Sequence, residues 1–343
     1  MDWQAPDHAA VDCGDNGTKG SVLGVLVLLC GLAPVLAPTA ASGATPPSGT
    51  IVYSYYPWDA PTTRSIRTVS FEGDDMNVLA TGVGRRRSPT WSPDGSRIAY
   101  VAAGETDSIV LIANDGTDAE AVSLGNLRDV YDIDWSPGGR WIVFVARPLD
   151  DGRAGRLDLY SLDLIRRTVK RLTDDGASDS HTSWSPDGEW ALFTSGGDIT
   201  VISPDGTQRR NLNQKPRAEI AAWSPDGSTI AYVVWPADVH LMDADGKGPR
   251  RIAAFEDMRL DSLSWLPSGK SLLFAATSGG VRRLSRMDID GSNYETILDS
   301  RDGYLGHPRA FGPDPAAEPP PLMPALWGSV RMGAEELGLV LTP

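Results

Sequence analysis

A short segment recurs along this chain and constrains its fold more than any other feature. The stretch TWSPDGSRIAYV at residues 90–101 returns nearly unchanged as AWSPDGSTIAYV at residues 222–233. Weaker copies repeat the tryptophan at further positions, and a phenylalanine replaces it in the last copy. The repeat position is occupied by Trp91, Trp135, Trp184, Trp223, Trp265 and Phe311. Consecutive copies lie 44, 49, 39, 42 and 46 residues apart, a period typical of propeller blades or solenoid turns.

Each copy divides into short apolar runs typical of β-strands, which we call strands a to d. The tryptophan ends strand a, and Ser-Pro-Asp-Gly then predicts a tight turn, because Pro fixes φ, Asp accepts backbone hydrogen bonds and Gly allows positive φ. A second turn, rich in Asp and Gly, separates strands c and d. The glycines of the first turn are Gly95, Gly139, Gly188, Gly227 and Gly269. Units of four short strands favour a propeller over a solenoid.

The two ends of the repeat region complete each other. Residues 51–81 contain strands b, c and d with no strand a before them, and residues 307–311 form a strand a with nothing after it. We therefore predict an all-β fold, a six-bladed β-propeller of four-stranded antiparallel blades. Its last blade is closed by the N-terminal strands plus the C-terminal strand, which removes the open edge of a stack of sheets.

The repeat also resembles that of a known family. The combination of WSPDG, an IAYV-type strand and a turn such as DADG at residues 243–246 is similar to the repeat of TolB-like β-propellers. The resemblance extends over residues 51–312. It implies an extracytoplasmic module that binds other proteins or envelope polymers.

The segments that flank the repeats have different compositions. Within residues 1–45, an uncharged apolar run at 21–37 follows Lys19 and precedes small residues, which predicts a signal peptide or membrane anchor with a linker. The propeller of residues 46–312 would then be extracytoplasmic: periplasmic, secreted, or anchored and facing outward. The Pro-rich residues 313–343 are expected to form a disordered tail.

Composition excludes several classes of function. The formal net charge of −14 is spread along the chain, whereas nucleic-acid binding needs a basic stripe. Both cysteines, Cys13 and Cys30, precede the repeats, so no disulfide or Cys-ligated metal is expected within them. The chain has no Gly-x-Ser-x-Gly motif and no Gly-rich phosphate loop. We expect a monomer without a cofactor or metal, which contacts a membrane only through an N-terminal anchor.

Strand order places the variable connections together. In a blade of strands a to d, the b–c and d–a connections share one face of the disc, here called the loop face. The repetitive a–b and c–d turns share the opposite turn face. Variable loops on a rigid scaffold are where binding residues concentrate. We predict partner binding on the loop face by loop aromatics and by residues at the starts of inner strands: Tyr55, Tyr56, Trp58, Arg87, Tyr131, Glu219, Trp235, Asp261 and His307.

The main prediction is a non-catalytic propeller that binds a protein or envelope component through its loop face. One alternative is a metal-dependent hydrolase at the channel mouth, using Glu219, Asp261 and His307. Another is a membrane-anchored sensory or structural ectodomain. The repeated tryptophans are interpreted as fillers of the gaps between blades. The Asp-Gly turns are interpreted as structural, because calcium loops need more oxygen ligands at fixed spacing.

Overall fold

A computed structural model describes residues 49–60, 63–149, 156–212 and 217–312. The regular elements in these ranges are all β-strands. Among the described residues, no helix is long and apolar enough to cross a bilayer. The predicted signal or anchor, including Cys13 and Cys30, lies outside the described residues, as does the predicted disordered tail.

The described ranges contain 24 strands. The first eight in chain order are β1 (Thr50–Pro57), β2 (Thr63–Ser70), β3 (Asn77–Val83), β4 (Arg86–Trp91), β5 (Arg97–Ala102), β6 (Ser108–Ala113), β7 (Glu120–Ser123) and β8 (Leu127–Trp135). The next eight are β9 (Trp141–Pro148), β10 (Asp158–Asp163), β11 (Thr168–Arg171), β12 (Asp179–Trp184), β13 (Ala191–Ser195), β14 (Asp198–Ile202), β15 (Arg209–Asn211) and β16 (Ala218–Trp223). The last eight are β17 (Thr229–Val234), β18 (Asp238–Asp243), β19 (Arg250–Ala254), β20 (Arg259–Trp265), β21 (Ser271–Ser278), β22 (Val281–Asp288), β23 (Glu295–Ser300) and β24 (Gly303–Phe311).

These strands form six antiparallel sheets of four strands, which confirms the predicted six-bladed propeller. Blades 1 to 5 are consecutive groups of four, from β4–β7 through β20–β23. Blade 6 has the order β24-β1-β2-β3, so the last strand pairs with the first. In that pairing Thr50 lies opposite Phe311 and Tyr56 opposite Tyr304. The predicted closure of the ring is therefore correct.

The apolar core is divided among the spaces between blades. Six clusters of buried residues each combine side chains from two consecutive blades. Between blades 2 and 3, for example, Val143 and Leu159 pack with Phe193 and Trp184. The middle strands of a blade are covered on both sides, so they contain continuous apolar runs such as residues 98–101 rather than alternating ones.

The repeated tryptophans make two kinds of contact. The indole N–H groups of Trp91, Trp184 and Trp265 donate to carbonyl oxygens of the preceding blade's inner strand, at 3.2, 3.2 and 3.0 Å. Those of Trp135 and Trp223 donate instead to the carbonyl of the glycine in their own turn, at 2.9 and 3.1 Å. The bridging tryptophans are buried, and the other two are half-buried.

The turns of the turn face use the predicted hydrogen bonds. In the first copy, Ser92 Oγ accepts from the Arg97 N–H at 2.9 Å and donates to Asp94 Oδ1 at 2.6 Å, and Asp94 accepts from the Ser96 N–H. All five turn glycines have positive φ. Turns of adjacent blades also interlock, since a Cβ on Gly188 would lie 3.4 Å from the ring of Pro137 in the preceding turn.

Candidate functional site

Each inner strand contains a β-bulge near its start, on the loop face. A bulge leaves one or two residues without a partner opposite them and changes the direction of their side chains. Strand β8 contains two bulges, and each of the other inner strands contains one. The first unpaired residue of the bulge nearest to the repeated Trp or Phe is Ser88, Asp132, His181, Glu219, Asp261 or His307. Four of them have left-handed φ angles between 50° and 53°. The predicted residues Glu219, Asp261 and His307 are therefore bulge residues, whereas Arg87 and Tyr131 directly precede a bulge.

Three bulge residues from separate blades meet near the centre of the ring. His307 Nε2 lies 3.8 Å from Asp132 Oδ1, and the His181 N–H donates to Asp132 Oδ2 at 2.9 Å. Burial lowers the pKa of His307 to about 4, so this ring is neutral at pH 7. Burial opposes ionisation of Asp132, but the nearby His181 and His307 outweigh it and hold the pKa of Asp132 below its usual value.

A cavity of about 440 Å³ opens on the loop face beside blade 6. We call it the closing cavity, because residues of both β1 and β24 form its wall. Side chains from blades 1, 2 and 5 complete it. It is lined by Tyr56, Pro57, Trp58, Arg64, Arg85, Arg87, Tyr131, Arg282, Tyr304 and His307. Five of the nine predicted binding residues thus line a single cavity.

Arginine and tyrosine side chains pair within this wall. The rings of Tyr56 and Tyr304 stack with centroids 5.2 Å apart. The Arg64 guanidinium lies 4.2 Å from the Tyr56 centroid, and that of Arg282 lies 4.7 Å from the Tyr304 centroid. Burial raises the pKa of both tyrosines, which therefore stay neutral. Cation–π contacts of this kind hold guanidinium groups in place without neutralising them.

Arg87 occupies the inner wall of the closing cavity. Only 3% of its surface is exposed. Its guanidinium forms a buried ion pair with Asp107 at 3.0 Å, donates to the Val130 carbonyl at 2.8 Å, and lies 3.8 Å from the Tyr131 ring centroid. These contacts tie blade 1 to blade 2. Arg87 therefore orders the wall, while the exposed Arg85 lies at the rim.

The aromatic residues predicted near the closing blade have different environments. Trp58 is 52% exposed, and its indole N–H donates to the Arg301 carbonyl at 3.0 Å. Tyr55 is half-buried on β1, with the Arg67 guanidinium 3.9 Å from its ring centroid, and it does not line the closing cavity. Of the predicted aromatic residues that line this cavity, Trp58 is therefore the most exposed to solvent.

A second cavity, of about 680 Å³, opens on the loop face between blades 3 and 4. It contains the predicted residues Glu219 and Trp235, together with His181 and Arg217. Glu219 is exposed, and Trp235 is 65% exposed. The remaining lining residues are small or hydroxyl-bearing, apart from Val234. This blade 3–4 cavity therefore carries charges of both signs.

Asp261 lies behind the closing cavity and does not line it. Its carboxylate is ion-paired with Arg282 and, at 3.2 Å, with Arg259, and it accepts from Thr277 Oγ1 at 2.9 Å. Within the described ranges, no three His, Cys, Asp or Glu residues are grouped closely enough to hold a metal ion.

Five lining residues were missed by sequence reasoning: Pro57, Arg64, Arg85, Arg282 and Tyr304. Arg64 and Arg282 are each the second residue of a strand c, directly after a b–c loop. Strand order alone places such positions on the loop face. Considering strand c as well as strand a would have found both arginines.

The described residues thus form a six-bladed β-propeller with a cavity lined by arginine and aromatic side chains on its loop face. The family model of the TolB beta propeller domain matches residues 51–311, about three quarters of the chain. The chain therefore belongs to the TolB beta propeller domain family.

The chain covers only part of the length of each individual relative. The chain is 27% identical over 191 residues to the uncharacterized protein Atu1656 of Agrobacterium fabrum, covering 52% of this chain and 61% of that protein. It is 24% identical over 210 residues to the uncharacterized peptidase YuxL of Bacillus subtilis, covering 59% of this chain and 30% of the peptidase. The structure of TolB from Acinetobacter baumannii superposes with a TM-score of 0.66 at 25% identity, covering 76% of this chain and 66% of that one. The chain thus spans less than two thirds of each of these proteins.

Proposed function

We propose that this chain is an exported, non-catalytic binding domain that takes up a protein or an envelope component on its loop face. The observation that carries the proposal is the closing cavity with Trp58 at its rim. A large aromatic side chain that is half exposed beside a preformed cavity is a typical anchor for a partner. The exposed Trp235 beside the blade 3–4 cavity extends this surface across the same face.

Membership of the TolB family supports a protein partner and an extracytoplasmic location. The tertiary contacts of the inner strands support binding rather than catalysis. Glu219 and His307 line different cavities, and the Asp261 carboxylate is ion-paired with two arginines. The three residues considered for metal-dependent hydrolysis therefore do not converge on one site.

The test compares crosslinking capture in the native envelope fraction by the wild-type chain and by two variants. The double variant Trp58→Ala with Trp235→Ala removes both exposed anchors of the loop face. The matched control is Ile165→Ala, because Ile165 is 76% exposed but lies in a c–d turn on the turn face.

We expect the double variant to lose the partner captured by wild type and the Ile165 variant to retain it. Capture that is equal in all three proteins would contradict the proposal. The N-terminal sequence of the protein recovered from that fraction tests the export part, because a cleaved signal gives a mature N-terminus near residue 40, whereas an anchor is retained.

A further inference from the structure

The blade 3–4 cavity lies beside a loop that carries no side chains. In blade 3 the connection between β13 and β14 is only Gly196 and Gly197, and both have positive φ, at 60° and 96°. A Cβ on Gly197 would lie 2.4 Å from Nε of Arg217, whereas a Cβ on Gly196 would have no described atom within 4 Å outside its chain neighbours. The glycine pair therefore leaves this part of the loop face open, and blade 4 adds Trp235 to the lining.

Hydroxyl groups in the lining offer both hydrogen-bond donors and acceptors. Thr194 Oγ1 is 3.1 Å from the Ser180 carbonyl oxygen and 3.2 Å from that of Glu219, so its proton is donated to one of them. Its oxygen then accepts from Ser180 Oγ at 2.8 Å, and the Ser180 oxygen can still accept from a ligand. Ser178 Oγ accepts from the Leu157 N–H at 3.4 Å and is able to donate. These groups suit a ligand whose own polar groups both donate and accept.

The two charged side chains of the lining have opposite signs. Arg217 is exposed, and its guanidinium donates to the Gly196 carbonyl, which holds it beside the cavity. Glu219 is also exposed, and its carboxylate has no ion pair or hydrogen bond with any residue that the structure describes. A simple anion would be repelled by Glu219 and a simple cation by Arg217. The lining therefore favours a ligand without net charge.

Trp235 indicates the shape of that ligand. Its side chain is 65% exposed, and its indole N–H donates to none of the described residues. The face of an aromatic ring carries partial negative charge, so it attracts C–H groups, which carry partial positive charge. A pyranose ring presents such C–H groups on its face and hydroxyl groups around its edge. An amino-acid side chain offers an apolar group or one or two polar atoms, and it would leave part of this lining without partners.

The size of the cavity and its contrast with the closing cavity agree with this assignment. Its volume of about 680 Å³ lies within the range of about 300–1,000 Å³ that is typical of pockets for small ligands. The described lining of the closing cavity contains four arginines and no serine or threonine. The two cavities of the loop face therefore suit ligands of different chemistry.

We propose that the blade 3–4 cavity binds a neutral sugar residue of an envelope glycan. One face of the pyranose ring lies against the Trp235 indole, and its hydroxyl groups form hydrogen bonds with Arg217, Glu219 and the serine hydroxyls. This inference rests on the proposed function, because it names the class of envelope component that the loop face takes up.

The test is isothermal titration calorimetry of the full chain with three neutral trisaccharides: cellotriose, maltotriose and triacetylchitotriose. We expect the wild-type protein to bind at least one of them with a dissociation constant of about 0.1–1 mM, because an open, polar site gives little net binding free energy. Trp235→Ala should weaken this binding about tenfold, because it removes the aromatic face. Trp235→Phe should retain most of the affinity, because phenylalanine keeps such a face.

Glu219→Gln separates binding inside the cavity from stacking on an exposed indole alone. This variant should weaken sugar binding several-fold, because a charge-assisted hydrogen bond becomes a neutral one. The matched control is Ile165→Ala, which removes an exposed apolar side chain on the turn face and should bind the sugar as wild type does. Trp235 and Glu219 are exposed, so their replacement leaves the core intact, and unchanged melting temperatures verify this.

Failure of all three trisaccharides to bind at millimolar concentration would overturn the inference. So would binding that either Trp235→Ala or Glu219→Gln leaves unchanged. Tighter binding of the acidic trisaccharide trigalacturonate than of every neutral one would also overturn it, because the site would then be one for anionic sugars.

The two proposals can fail separately. If no trisaccharide binds but Trp58→Ala with Trp235→Ala still abolishes capture of a protein partner, the loop face binds that protein and the sugar site is wrong. If a trisaccharide binds through Trp235 while capture is unaffected by the double variant, the cavity recognises sugars and the wider binding surface is wrong.

Discussion

On the turn face, Gly188 lies against Pro137 of the preceding blade, and the nearby Trp184 donates a hydrogen bond into that blade's inner strand. On the loop face, Trp58 and Trp235 expose half or more of their surface to solvent beside open cavities. The same six blades thus have one face of repeated contacts between neighbours and one face of single, unrepeated features. Repeated contacts between neighbouring blades are a feature of the turn face, whereas the loop face differs from one blade to the next.

This contrast predicts that the largest loss of stability comes from a tryptophan at the turn-face end of an inner strand. Trp184→Ala should lower the free energy of unfolding by about 3–5 kcal/mol, because it leaves a cavity between blades 2 and 3 and removes the bond to the Asp134 carbonyl. Urea denaturation measures the effect.

The matched control is Trp223→Ala, since Trp223 is half-buried and donates only to its own turn. Trp223→Ala should lower the free energy of unfolding by less than Trp184→Ala does, and the two values should differ by more than about 1 kcal/mol. Equal losses for the two variants would mean that the bridging contact does not distinguish them.

Arg87 is an exception among the residues of the loop face, because it is buried and ion-paired like a residue of the core. Arg87→Met should lower the free energy of unfolding by about 3 kcal/mol, since it leaves the Asp107 carboxylate buried without its cation. Adding Asp107→Asn should recover part of that loss, and a double-mutant cycle on urea denaturation measures the coupling. Strictly additive losses would show that the ion pair contributes nothing.

His307 should make the stability of the folded protein depend on pH. In the unfolded chain this residue binds a proton below about pH 6.5, whereas in the folded protein its pKa is about 4. The unfolded state therefore binds more protons between these values, and stability falls as the pH drops through that window.

We expect His307→Gln to remove on the order of 2 kcal/mol of this fall, less than the full shift implies because the side chain is 20% exposed. Denaturation midpoints at a series of pH values from 7 to 4 test this. A variant that loses stability as steeply as wild type would refute the assignment to His307.

The smallest effects on stability should come from the exposed tryptophans of the loop face. Trp58→Ala and Trp235→Ala should each change the free energy of unfolding by less than about 0.5–1 kcal/mol, because most of each indole is already in water. Thermal and urea unfolding provide the measurement. A loss as large as that of Trp184→Ala would mean that these indoles hold loops in place.

The fold could be predicted from the sequence because the same sequence motif recurs in each blade of a propeller. Six copies of the Trp or Phe position fixed the number of blades, and the missing strand a before residue 51 showed how the ring closes. The turn chemistry is local, so Ser92, Asp94 and Gly95 could be assigned their roles from spacing alone. The sequence could not show that the indoles of Trp184 and Trp223 donate to different acceptors, since both residues occupy the same position of the motif.

The candidate site depends on contacts that the repeat does not specify. Tyr56, Trp58, Tyr131 and His307 line one cavity on the loop face, where strand order places them. Which side chains converge depends on the bulges, and their first unpaired residue shifts by one position between Ser88 and His307 relative to the repeat. Tyr304 reaches Tyr56 only because Gly306 leaves room, as a Cβ there would overlap the Tyr304 ring. No pattern in a single sequence reveals these contacts.

The pairing of Thr50 with Phe311 also determines where the chain enters and leaves the disc. Strand β1 starts, and β24 ends, on the turn face, at the side of the a–b turns. The first and last residues of the ring are therefore neighbours on the face opposite the cavities. Whatever is attached to either end, whether a tether, a label or a solid support, is joined at the back of the disc. A propeller held at Thr50 or at Phe311 would therefore have its cavities on the side away from the attachment.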